Sequence, residues 1–211
     1  MTGRVLAVCV VAREHSLDPR KPGQHTAIDK RPVDGPLEVG PLGPTGDHVC
    51  DTKHHGGHEQ AVYAYSQHEA QRWAHELGRE LPPGWFGENL RIDGATTDLV
   101  VGTRLRVGAT LELEATIART PCRTFALWSG EDGWLKRFTA RGDTGAYFRV
   151  LVPGPVAAGD PIVEVHVPEH GATIRDLFRA TRPEQLSRLL THRDLPPKVK
   201  RDAQRALKRA D

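Results

Sequence analysis

Along residues 110–118 apolar and polar positions alternate, with Leu111, Leu113, Ala115 and Ile117 on one side and Glu112, Glu114 and Thr116 on the other. This two-residue period predicts a half-buried strand. The strand is expected to stop before Pro121, which has no backbone N–H to give to a ladder. Residues 6–11 form a continuous, β-branched run and predict a short strand covered on both faces. Further strands are expected at 61–65, 90–92, 104–107, 145–152 and 161–167, with a glycine turn at Gly108 joining two of them as a hairpin.

A helical period takes over after Ser66, where Ala70, Trp73, Ala74, Leu77 and Leu81 recur. Ser66 and Glu69 have the spacing of a capping box, and Pro82-Pro83-Gly84 is expected to end the helix. Trp73 reads as a core residue of that helix. A second short helix is expected around residues 134–139. Between residues 19 and 44, Pro22, Gly23, Pro32, Gly35, Pro36, Gly40, Pro41 and Gly43 exclude a long helix and leave room for extended pieces at 27–28 and 37–39. About eight short strands around an embedded helix predict a mainly β fold, a closed or nearly closed β-barrel, because closure removes exposed edges.

The pattern changes near Pro168. Beyond Gly171 glycine disappears, and Ile174, Leu177 and Phe178, then Leu186, Leu189 and Leu190, then Val199, Ala203, Ala206 and Leu207 mark three helices separated by Pro183 and Pro196-Pro197. The expected organisation is a barrel domain over 1–168 and a basic three-helix extension over 169–211. A solvated helix face is the expected role of the tail's charge, and contact with nucleic acid is not expected.

The 211 residues carry a formal charge of +2, too little for whole-molecule attraction to nucleic acid. Three cysteines, Cys9, Cys50 and Cys122, suggest no disulfide framework and a reducing compartment. No secretory leader or run of about 18 apolar residues is present, so a cytoplasmic protein without membrane contact is expected.

Two stretches ask for chemistry. Cys122 follows Pro121 between Arg119 and Arg123, a setting that favours thiolate, the form that ligates soft metals or attacks electrophiles. The segment 46–60 concentrates Asp47, His48, Cys50, Asp51, His54, His55 and His58. These are zinc-ligand types, although no paired metal-binding spacing appears. Gly56-Gly57 marks a bend or a close ligand approach. Thr26, Lys30 and Arg31 in the extended ribbon can offer donors to an anion. Asn89, at a strand entrance, can both donate and accept.

Taken in order, Thr26-Ala27-Ile28-x-Lys30-x-Pro32, Gly46-Asp47 with Asp51, His55-Gly56-Gly57-x-x-Gln60-Ala61-Val62-Tyr63, Pro83-Gly84-x-Phe86-Gly87-Glu88-Asn89-Leu90, Arg119-x-Pro121-Cys122 and Gly145-x-Tyr147-x-Arg149 resemble the MOSC domain family. Those domains are similar to the C-terminal part of molybdenum cofactor sulfurases, and within the family the chain resembles the bacterial stand-alone branch linked to 6-N-hydroxylaminopurine resistance. The resemblance implies a barrel that binds molybdenum cofactor (molybdopterin), with Cys122 as the metal ligand. Thr26, Lys30 and Arg31 would hold the pterin phosphate. Asn89 and Arg119 would line the pocket, while Asp47, Asp51 and His55 would shape its mouth or deliver protons.

The implied activity is a molybdenum-dependent oxidoreductase that reduces N-hydroxylated bases or related N-oxygenated compounds. Its electrons would come from an external reductase, since the chain shows no flavin, nicotinamide or iron–sulfur fingerprint. A homodimer is a further expectation. Two alternatives stay open: a carrier of the cofactor or of persulfide sulfur on Cys122, and a zinc hydrolase built on His48, Cys50, His54, His55 and His58.

Overall fold

A computed structural model describes residues 2–53 and 55–210. Eleven strands, β1 (Thr2–His15), β2 (Thr26–Pro32), β3 (Leu37–Gly40), β4 (Gly43–Pro44), β5 (Val62–Ser66), β6 (Leu90–Asp93), β7 (Arg104–Val107), β8 (Leu111–Ala118), β9 (Ala146–Val152), β10 (Gly154–Val156) and β11 (Pro161–His166), surround the core. Six helices accompany them: α1 (Gln67–Leu77), α2 (Arg123–Ser129), α3 (Trp134–Arg141), α4 (Ile174–Arg179), α5 (Pro183–Leu190) and α6 (Pro197–Ala210).

The strand order β1-β11-β7-β8-β9-β5-β6 returns to β1 and closes the barrel. β1 is longer than its apolar run predicts because it serves two surfaces. Its first half pairs with β11 and β6, and bulges near Val5 and Val11 bend its second half away to pair with β2. β5 and β6 are the parallel pair, and α1 lies in the crossover between them. The antiparallel register of β5 on β9 sets Tyr63 opposite Tyr147, with ring centroids 4.9 Å apart.

On β8 the predicted inward residues Leu111, Leu113, Ala115 and Ile117 are buried. Glu114 and Thr116 are buried as well, against the expectation that they face solvent. The reason is that α4, α6 and the 3-10 turn His58–Gln60 lie against this strand. Arg104 and Arg149 pair with the Glu114 carboxylate, while the Thr116 hydroxyl donates to the Glu59 and Tyr147 carbonyls.

Two apolar clusters result. One fills the barrel and runs without a break into Leu177, Leu186, Leu189, Val199, Ala203 and Ala206 of the last three helices. The other is aromatic: Tyr63, Tyr65, Trp73, Phe86, Phe125, Trp134 and Phe138 pack between α1, α2 and α3. α1 ends at left-handed Gly78, earlier than the proline pair implies. Its Ser66 makes no side-chain cap, and Glu69 is buried with Thr97 instead of closing a capping box. Among the described residues, no helix is long and apolar enough to cross a membrane.

Candidate functional site

The turn that carries Pro83-Gly84-x-Phe86-Gly87-Glu88-Asn89 is fixed from below by a carboxylate. Glu88 is fully buried and accepts from the Gly84 and Phe86 N–H groups at 2.8 and 3.0 Å and from Arg91 at 2.6 and 2.8 Å. Gly84 has φ +91 and sits against Lys30, where an added Cβ would meet the Lys30 carbonyl oxygen at 2.1 Å. The turn therefore clamps β2 and places Lys30 at the head of a cleft.

That cleft has a volume of about 500 Å³, within the range of cofactor and small-molecule sites. Thr26, Lys30, Asp47, Asp51, His55, Asn89, Arg119 and Cys122 all line it, so the fold brings together residues from four separate stretches of the chain. Arg31 is not among its walls. Adjacent strand residues point to opposite faces, and Arg31 forks onto Asp29 with two bonds of 3.1 Å, exposed on the far side of β2 from Lys30.

Asp47 is not at the mouth. Its carboxylate accepts from the Val11 N–H at 3.0 Å and from the Asn89 amide at 2.7 Å, and it pairs with Lys30. The Asn89 oxygen accepts from the Tyr63 N–H at 3.1 Å. Asp47 and Asn89 thus form a buried bracket that holds the Lys30 ammonium in position.

Arg119 follows β8 and is 7% exposed. Its guanidinium lies 3.6 Å from the Phe125 ring centroid and 5.6 Å from that of Tyr63, and it hydrogen-bonds the Tyr147 hydroxyl. No carboxylate meets it among the described residues, and its Nη1 is buried without a partner. An unsatisfied buried donor costs about 1–3 kcal/mol, and an anion entering the cleft would relieve that cost.

Cys122 stands directly before α2, a helix that its sequence pattern does not announce. Burial pushes its thiol up, but a hydrogen bond from His55, the Arg119 charge and the Phe125 backbone N–H outweigh burial and bring it down from 9.0 to about 7. Of the two flanking arginines only Arg119 acts on the sulfur. Arg123 turns outward and forks onto Asp18 at 2.6 and 3.2 Å. Cys122, Asp51 and His55 also wall a second chamber of about 340 Å³, bordered by Leu17, Pro121 and Leu127. Cys122 therefore borders both cavities.

Among the described residues, the histidine-rich segment does not converge on one point. His55 faces Cys122, His58 is exposed on the 3-10 turn, and His48 and Cys50 meet Glu14. His54 lies outside the described residues. Cys9 is buried, and burial followed by the Glu88 charge raises its thiol to about 12, which leaves it inert. Sequence reasoning gave no site role to Tyr63 and Tyr147, although both stood in the recognised blocks, nor to Glu14, whose partners come from another loop.

The closed barrel thus sets Cys122 and a buried guanidinium that meets no carboxylate among the described residues on one cleft. Residues 51–163 match the MOSC domain family, and the chain belongs to that family. It is 30% identical over 151 residues to "Uncharacterized protein YflK" of Bacillus subtilis, covering 71% of this chain and 68% of that protein. It is 31% identical over 145 residues to "Protein YiiM" of Escherichia coli, covering 66% of this chain and 64% of that protein. The crystal structure of YiiM from Geobacillus stearothermophilus matches the fold with a TM-score of 0.76 at 23% identity, over 97% of this chain and 99% of that one. YiiM from Escherichia coli gives 0.72 at 22% identity, over 99% and 94%. Family membership makes this a molybdenum-cofactor-related domain.

Proposed function

We propose that the chain binds molybdenum cofactor in the 500 Å³ cleft and reduces N-hydroxylated bases or related N-oxygenated compounds with electrons from an external reductase. The observation that carries this reading is a thiol held at about 7 on the same wall as a buried guanidinium with no acidic partner. The donor set fits the group. Cys122 offers the soft sulfur that molybdenum favours, and Arg119, Lys30 and Thr26 offer cationic and hydroxyl donors to a pterin phosphate. Asp47 and Asn89 would act at one remove, by keeping Lys30 in place.

When bound, the metal supplies the two-electron chemistry that N–O cleavage needs. The chain's own residues do the rest. Tyr63 and Tyr147 wall the cleft against water, Arg119 balances negative charge beside the sulfur, and His55 can hold a proton at the edge shared with the second chamber.

Cys122→Ala is expected to abolish N-hydroxylaminopurine resistance in cells and to strip molybdenum and pterin from the purified protein. Unchanged resistance together with unchanged metal content would sink the proposal. Persulfide on Cys122 in fresh protein that lacks molybdenum, read by mass spectrometry, would favour a sulfur or cofactor carrier instead.

A further inference from the structure

The end of β1 and the loop after β4 bring three metal-ligand types to one point that the cofactor reading does not use. Asp47 turns inward to its bracket, whereas His48 and Cys50 share the other side and face Glu14 on β1. His48 Nε2 is 2.8 Å from one Glu14 oxygen, and the Cys50 thiol hydrogen-bonds the same carboxylate. The donor atoms of Glu14, His48 and Cys50 all lie within 4.8 Å of one another. The second Glu14 oxygen is 3.7 Å from His25 Nδ1.

We propose that Glu14, His48 and Cys50 form a three-donor site for a borderline divalent ion such as zinc, with His25 standing 3.7 Å behind the Glu14 carboxylate. A tetrahedral zinc with bonds of about 2.0–2.3 Å sets its donors roughly 3.3–3.8 Å apart, so His48 and the Glu14 oxygen, 2.8 Å apart, would spread slightly, while a pair at the 4.8 Å limit would need a contraction of about 1 Å. Exposed side chains make that contraction by rotamer adjustment, with no shift of the strand. Binding replaces the Cys50 S–H bond with a metal–sulfur bond and releases the proton to solvent. Three protein donors, one from β1 and two from the loop after β4, would make the bound ion a clip between these two segments, with solvent in its remaining position. The clip would tie β1 to the loop carrying Asp47, and through Asp47 it would steady Lys30 at the head of the cleft.

His48 and Cys50 border the 500 Å³ cleft, so the test removes the cleft's own cysteine. Cobalt(II) titrated into the full chain carrying Cys122→Ser is expected to give a thiolate charge-transfer band that saturates at one ion per chain and is displaced by zinc. Cys50→Ser in the same background should abolish the band, and Glu14→Gln or His48→Ala should weaken cobalt binding at least tenfold. Circular dichroism checks that these surface variants remain folded. A chain that shows no band, or whose band survives Cys50→Ser, overturns the proposal. A band that appears only when Cys122 is present also overturns it and assigns the metal to the cleft.

Discussion

Three groups act on the Cys122 sulfur, two of them, Arg119 and Phe125, its near neighbours in the chain and the third, His55, brought from a distant loop. The thiol's ordinary value is 9.0, and burial alone would raise it; His55, Arg119 and the Phe125 N–H bring it to about 7. The rate of iodoacetamide modification is therefore expected to rise with pH through about 7, and His55→Ala should move that midpoint upward and slow modification at pH 7 several-fold. The sign for stability follows. Between pH 7 and 9 the unfolded chain keeps a proton that the folded chain has shed, so this group adds stability as pH rises and loses it as pH falls through 7. The sequence singles out this cysteine through Pro121 and its arginines, and half of that reasoning holds. Arg119 acts, while Arg123 is taken by Asp18, a partner that only the folded chain supplies. His55 was legible as a histidine in a dense segment, but its meeting with Cys122 depends on long-range packing that no local pattern encodes.

At the scale of elements, α1 shows how a local motif yields to distant contacts. Ser66 and Glu69 have capping-box spacing, yet the Glu69 carboxylate is 5% exposed, accepts from Thr97 at 2.8 Å and lies 3.9 Å from Arg175 of α4. Burial, with the Asp143 charge adding to it, raises Glu69 from 4.5 to about 7 against the Thr97 bond and the nearby arginines. Here the folded chain binds the extra proton, so stability falls as pH rises from 4.5 to 7, on the order of 3 kcal/mol across the window. Glu69→Gln is expected to flatten that fall, as measured by urea unfolding at pH 5 and pH 8. The strands were more legible than such contacts, because a two-residue period survives any tertiary context that buries one face. α2 was not, since its seven residues hold a single Phe125–Trp128 pair at helical spacing and Cys122 offers it no side-chain cap. Glu114 and Thr116 misled for a related reason: the helices that cover their side of β8 come from the far end of the chain.

For the whole molecule, the change of pattern at Pro168 separates strands from helices, but the apolar core runs across it. Leu186 and Leu189 are fully buried in the same cluster as Leu111 and Leu113 of β8. Leu189→Ala is expected to cost about 2–5 kcal/mol in a single cooperative urea transition, and a chain ended after Pro168 should lose that transition. A truncated barrel that unfolds at the same midpoint would show the helices to be energetically separate. The four tryptophans have a bearing on how such curves are read. Trp73, Trp85, Trp128 and Trp134 all belong to the aromatic cluster beside the cleft, and none lies in the cluster shared by the barrel and the last three helices. Intrinsic fluorescence therefore watches one end of the protein, while far-ultraviolet ellipticity reports helices at both. Disagreement between the two signals would reveal partial opening that either one alone would miss.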